Sequence, residues 1–289
     1  MKRSIKNILW PTDFSAEAQE ALLYAGVLAK TFSARITALH VTSDFVPELY
    51  DSSHLIQSEI SLRTDELKRK ALAKLKSAGE KKGLDFKKII VTEGSTARKI
   101  IETAEKERVD LIVMGRRGQS LLEKILIGSA ANHVLRHSPV PVLMTKKGKQ
   151  KLAIKKILVP TDFAKEEDVE RDFAWMLAEG FGASLTFLYV LELYGHEFRM
   201  VDQMFQSVLE KFKRRAEKVG KGIAVEKDVT RAINAALGID EYSRTNRFDL
   251  IVMATCAHGL GRFFLGSTTE KVLSHTDLPV FCLPPKYCS

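Results

Sequence analysis

The sequence predicts an α/β protein built from two tandem copies of one doubly wound, five-stranded parallel-sheet domain. Three observations carry this prediction. Landmarks recur in order: Ile8-Leu-Trp-Pro11-Thr-Asp13-Phe returns as Ile157-Leu-Val-Pro160-Thr-Asp162-Phe, 149 residues on. Ile36-Thr-Ala-Leu-His-Val41 aligns with Leu185-Thr-Phe-Leu-Tyr-Val190 at the same offset, and Asp110-Leu-Ile-Val-Met114 with Asp249-Leu-Ile-Val-Met253 at 139. Gly128-Ser129 matches Gly266-Ser267, and Pro141-Val142 matches Pro279-Val280, both at 138. Such ordered recurrence is the signature of duplication. Short β-branched runs also alternate with helical patterns, and strands apolar on both faces belong in a parallel sheet covered on both sides. Finally, 289 residues suit about two domains. These fall at 1–148 and 152–289, separated by the basic linker Lys146-Lys-Gly-Lys-Gln-Lys151.

In the first copy the elements follow in order. Residues 6–10 form the first strand. Ala18, Leu22, Ala25, Ala29 and Phe32, three or four apart, place one face of a helix against the core. The second strand is 35–41, followed by a helix over 57–82 and a third strand over 87–92. A helix over 96–107 leads to the fourth strand, 110–114, whose Leu-Ile-Val-Met run ends in Gly115. The last helix covers 129–137 and the last strand 140–145.

Composition narrows the function classes. Hydrophobic content of 45% and charged content of 28% are those of ordinary globular protein. No apolar run approaches the ~20 residues of a membrane span, and Met1-Lys-Arg-Ser-Ile-Lys-Asn leads straight into a strand, without a secretory leader. The cysteines, Cys256, Cys282 and Cys288, are odd in number and make no disulfide framework, which points to the reducing cytoplasm. The net charge of +9 sits in stretches mixed with glutamate, such as 66–82, and around the linker. No aromatic residues interleave with these lysines, so a solvated basic surface is expected and nucleic-acid binding is not. Cys256 and His258, with distant His275, make a poor metal set.

One constellation carries chemistry. Gly115-Arg-Arg-Gly118 follows the fourth strand, and Gly128-Ser129 opens a helix nine residues later. Glycines allow positive φ and close backbone approach, while a helix N-terminus presents N–H groups to an anion such as phosphate. Ligands of open α/β sheets sit beyond the strands' carboxyl ends, where strand order reverses. Pro11-Thr12-Asp13 and Gly115–Gly118 share that crevice if strands one and four are neighbours. Taken singly, Asp13 or Ser129 also suits a helix cap, Gly115 and Gly118 a turn, and Arg116 and Arg117 open solvent.

Gly-x-x-Gly-x9-Gly-Ser, with Pro-Thr-Asp-Phe-Ser after strand one and Pro-Val-Pro-Val in the last strand, closely resembles the universal stress proteins in their tandem, two-domain form. The resemblance covers the whole chain. It implies the adenine-nucleotide-hydrolase-like sheet order 3-2-1-4-5 and binding of ATP, or ADP or AMP, with or without Mg²⁺, without strong catalysis. Asp13, beside Pro11 and Thr12, then reaches ribose or adenine, Val41 offers backbone groups to the adenine edge, and Met114 and Gly115 pack on the nucleoside. Gly118, Gly128, Ser129 and Ala130 wrap the phosphates, and Arg116 or Arg117 adds a charge-assisted contact. The second copy has Ala254 and Ala257 in place of Gly115 and Gly118, and only eight residues, 258–265, before Gly266. Gly259 and Gly261 lie out of register. Asp162, Val190, Gly266, Ser267 and Thr268 remain for a residual site in a mainly structural copy.

The leading function is therefore a cytoplasmic, ATP-binding stress-response module with an unknown protein partner. A nucleotide-independent interaction scaffold and a slow ATP hydrolase are the alternatives. No P-loop, Ser-Gly-Gly-x-Asp-Ser run or Gly-x-Ser-x-Gly elbow occurs. The resemblance also implies that the final strands, 140–144 and 279–283, pair antiparallel within the chain as a pseudo-dimer, burying an apolar edge. Homodimerisation beyond that would be weaker.

Overall fold

The computed structural model describes residues 4–42, 54–118, 127–148, 152–162, 167–193, 205–207, 209–210, 222–255 and 266–284. The first copy runs β1 (Asn7–Pro11), α1 (Ala16–Phe32), β2 (Arg35–Thr42), α2 (His54–Lys82), β3 (Phe86–Glu93), α3 (Thr96–Lys106), β4 (Leu111–Gly115), α4 (Ser129–His137) and β5 (Val142–Thr145). In the second copy the described elements are β6 (Lys156–Thr161), α5 (Glu167–Phe181), β7 (Ser184–Glu192), β8 (Val225–Ala232), α6 (Ala235–Thr245), β9 (Leu250–Ala254), α7 (Ser267–His275) and β10 (Val280–Leu283).

Local chemistry explains most boundaries. Ser15 caps α1, its Oγ accepting from Ala18 N at 3.2 Å, and left-handed Ser33 (φ 53°) ends the helix. β5 starts two residues later than its apolar run predicts. Ser138 Oγ donates to the Val140 carbonyl (2.6 Å) and accepts from Val140 N (3.2 Å), tying 138–140 into a local turn. Pro141 then has no N–H to give to a ladder.

The strands form one continuous sheet in the order β3-β2-β1-β4-β5-β10-β9-β6-β7-β8. Each half reads 3-2-1-4-5, and β1 lies beside β4, with Ile8 opposite Leu111. Within each half the pairing is parallel. The halves meet through an antiparallel pair, β5 with β10, in which Cys282 faces Val142, Phe281 faces Leu143 and Val280 faces Met144. An exposed apolar edge strand invites aggregation, and here each half covers the other's.

Side chains alternate across the sheet. Ile8, Trp10, Ile36, Val113, Ile157, Val159, Val252 and Phe281 pack under α1 and α5. Leu9, Leu39, Ile112, Met144, Leu158, Ile251, Val280 and Cys282 pack beneath α3, α4, α6 and α7. Both cores therefore draw on both copies. On the first face Phe32 of α1 meets Phe181 of α5 edge-on, with centroids 5.7 Å apart. Among the described residues no helix is long and apolar enough to cross a membrane.

Candidate functional site

The β1–β4 adjacency makes the carboxyl ends of these strands the point where strand order reverses. A cleft of about 200 Å³ opens there. Pro11, Thr12 and Asp13 line it from β1, Val41 from β2, Met114, Gly115, Arg116, Arg117 and Gly118 from β4 and its loop, and Gly128, Ser129 and Ala130 from the start of α4. All the residues expected of the first copy thus meet at one place. Thr96 and Ile100 of α3 also line it and were not anticipated. Their signal is positional, since α3 opens at the same carboxyl edge, directly after β3.

A network of hydrogen bonds shapes the turn after β1. Thr12 N donates to Leu39 O at 2.8 Å, and His40 Nδ1 lies 2.8 Å from the Thr12 carbonyl. Thr12 Oγ1 accepts from Phe14 N at 2.9 Å, and Asp13 Oδ1 accepts from Ser15 N at 3.0 Å. Phe14 is held at φ 65°, an uncommon conformation for an aromatic residue. The helix cap is therefore Ser15. A Cβ placed on Gly118 would lie 2.5 Å from Asp13 Oδ2, which puts this carboxylate directly over the loop.

The glycines act by close approach and not by left-handed backbone. None of Gly115, Gly118 and Gly128 has a positive φ, a correction to the sequence expectation. A Cβ on Gly115 would lie 2.8 Å from Glu17 Cβ and 3.0 Å from the Glu17 carbonyl carbon, so this glycine admits the first turn of α1. Gly128 N donates to Arg116 O at 2.8 Å, and a Cβ on Gly128 would sit 3.3 Å from that oxygen. Gly128 is the N-cap of α4 and Ser129 its first residue. Asn132 N is the first amide to bond back, to Gly128 O at 2.9 Å. The N–H groups of Ser129, Ala130 and Ala131 thus have no acceptor within the helix. No acidic residue occupies the first turn of α4, which leaves the positive end of its dipole to an external anion.

Arg116 departs from expectation. Its side chain does not turn toward the start of α4; the residue is 1% exposed and reaches into the second copy. Nη1 donates to Leu273 O (2.7 Å) and Thr276 O (2.6 Å), and Nη2 donates to Leu278 O. A buried guanidinium requires acceptors, and the C-terminal turn of α7 supplies them to both terminal nitrogens. Arg117, by contrast, is half-buried, and its N–H donates to Glu17 Oε2 at 2.7 Å.

The profile of the Universal stress protein family matches residues 4–146 and again 153–284. The chain belongs to the universal stress protein family. It is 39% identical over 147 residues to a universal stress protein of Methanocaldococcus jannaschii, covering 50% of this chain and 84% of that one. A universal stress protein of Synechocystis is 28% identical over 302 residues, covering 96% and 99% respectively. The crystal structure of a universal stress protein from Archaeoglobus fulgidus shares the fold with a TM-score of 0.66, at 24% identity and 97% coverage of both chains.

The second universal stress protein copy repeats the scaffold without the same crevice chemistry. Gly266 N donates to Thr255 O at 2.9 Å, as Gly128 does to Arg116. Thr269, where the first copy has Ala131, sends its hydroxyl to Ala254 O at 2.9 Å, and Glu170 takes the Ala254 N–H. Val190 packs against α6, close enough that a Cβ on Gly238 would lie 2.7 Å from its Cγ1. Asp162 and Ser267 are exposed, Thr268 is half-buried and Gly266 is buried. Cys256, Ala257, His258, Gly259, Gly261 and Cys288 lie outside the described residues.

Proposed function

We propose that the cleft of the first copy binds an adenine nucleotide, ATP foremost and ADP or AMP as alternatives, and that the protein is a nucleotide-responsive regulatory module of the stress response. One observation carries this reading: the N–H groups of Ser129, Ala130 and Ala131 open into the cleft beside Gly118, with the Asp13 carboxylate alongside. A helix N-terminus with no acidic residue suits phosphate, and a carboxylate suits ribose hydroxyls. Gly118 leaves room for a phosphate at the backbone, because the nearest obstacle is the end of a flexible side chain. Mg²⁺ would come with the nucleotide, since no group of three or more His, Cys, Asp or Glu gathers among the described residues.

Binding is favoured over turnover. Among the described residues no lysine lines the cleft, and the Arg116 guanidinium, the natural stabiliser of phosphoryl charge, is engaged by carbonyl groups of the second copy. We assign nucleotide binding to residues 1–148 and a mainly structural role to 152–289. The buried free thiol of Cys282 fits a reducing cytoplasm. The test is mass spectrometry of small molecules released on denaturing the purified chain. Adenine nucleotide near stoichiometric amounts is expected. None released, together with no heat on titrating ATP, would refute the reading.

A further inference from the structure

Arg116 joins the phosphate-side loop of one copy to the other copy's helix end, across 157 to 162 residues of sequence. Its backbone is part of the cradle: Arg116 N donates to Thr145 O (2.9 Å), and Arg116 O receives the Gly128 N–H that sets the start of α4. Its guanidinium closes the last turn of α7, where Thr276 is the C-cap and the dipole end is negative. Burial pulls its pKa down to about 10, so it stays charged at neutral pH. A buried cation with three carbonyl acceptors has little freedom to move alone. A shift of the loop must move the α7 turn, or break these bonds.

Among the described residues the second copy has no reciprocal arm. Thr255 holds the equivalent position, and its hydroxyl donates to Leu283 O of its own copy at 3.0 Å. The matching turn of the first copy satisfies itself through Ser138, which takes the Val140 carbonyl. In the second copy the Thr276 hydroxyl likewise accepts from Leu278 N (3.2 Å), but the Leu278 carbonyl accepts from Arg116. Lys146 and Asp277, paired at 2.6 Å, brace the same junction.

We propose that Arg116 is a positioning residue that couples the nucleotide cleft of the first copy to the α7–β10 turn of the second, so that occupancy of the cleft is reported on the second copy. This rests on the nucleotide reading for its trigger, but the mechanical link does not. Amide hydrogen exchange of the full chain tests both. Without nucleotide, Arg116→Met should lower protection about tenfold in two places together, 115–118 with 128–132, and 273–280, and leave β2 and β7 unchanged. Arg116→Lys should restore part of it. Loss confined to one of the two places would overturn the link. With ATP added, the native chain should gain protection at 273–280 as well as at 128–132, and the Met variant at 128–132 alone, with ATP affinity weakened about tenfold. Protection at 128–132 without any change at 273–280 in the native chain would also overturn the proposal. It can be read even if the variants fail to fold. If ATP changes neither place, the nucleotide reading falls, and the coupling is judged on the ATP-free comparison.

Discussion

A Cβ atom placed on Gly118 would lie 2.5 Å from Asp13 Oδ2, the movable end of a side chain, whereas one on Gly115 would press on Glu17 Cβ at 2.8 Å and on its backbone at 3.0 Å. The two glycines therefore separate function from folding. Gly118→Ala should displace the carboxylate and narrow the phosphate approach without straining the backbone. ATP affinity is expected to fall about tenfold or more, with an unchanged melting temperature. Gly115→Val should instead push α1 off β4 and cost about 1–3 kcal/mol, read as a lower urea midpoint. Equal effects of both substitutions on stability would contradict this division. The convergence of these residues was legible because their spacing and the strand ends fix where each loop emerges. The role of Arg116 was not. Its acceptors are main-chain carbonyls of the other copy, and main-chain groups leave no mark on sequence.

At the level of elements, the pairing of the two final strands was implied by the family resemblance, but its register was not. Val142 stands opposite Cys282, and Val280 opposite Met144. Register depends on how Ser138 and Pro141 delay the start of β5, which a hydrophobic pattern alone does not reveal. Val142→Cys, refolded under mild oxidation, should therefore form a disulfide with Cys282 inside one chain, seen by mass spectrometry as a loss of two hydrogens in a monomer. Disulfide-linked dimers as the main product would contradict the pairing. A second consequence concerns α1. Tyr24 is 1% exposed, and its pKa is raised well above the ordinary phenol value by burial, then by Glu20 and by Asp249 of the second copy. Because the folded value is raised, this group's contribution is present below the unfolded pKa of about 10 and is lost as pH climbs toward the folded value. Between pH 9 and 11.5 the native chain should lose melting temperature faster than Tyr24→Phe. Parallel slopes would remove Tyr24 from the account.

Over the whole molecule, one sheet and two shared cores bind two copies whose crevices differ. The duplication was visible in the recurring landmarks, and the order 3-2-1-4-5 was implied by the family resemblance. How the crevices differ physically was only half visible. The sequence showed alanines for glycines; the structure adds that Thr269 and Glu170 bond to the Ala254 carbonyl and N–H, the strand end that faces the cleft in the first copy. In the first copy the position of Thr269 is held by Ala131, which has no hydroxyl, and that of Glu170 by Ala21, while Glu17 accepts from Arg117 N, beyond the strand end. A polar side chain already seated at the strand end must be displaced before a phosphate can approach, and each such bond is worth about 0.5–1.5 kcal/mol. With the Arg116 contacts to α7 added, the asymmetry favours the proposal of a single nucleotide site, in the first copy, braced by the second. Isothermal titration should give about one ATP per chain. Gly128→Val, whose side chain would crowd Arg116 O, should remove that heat altogether, while Ser267→Ala in the second copy should leave it unchanged. Two equal sites, or a stoichiometry near one that survives Gly128→Val and disappears with Ser267→Ala, would assign nucleotide to the other crevice.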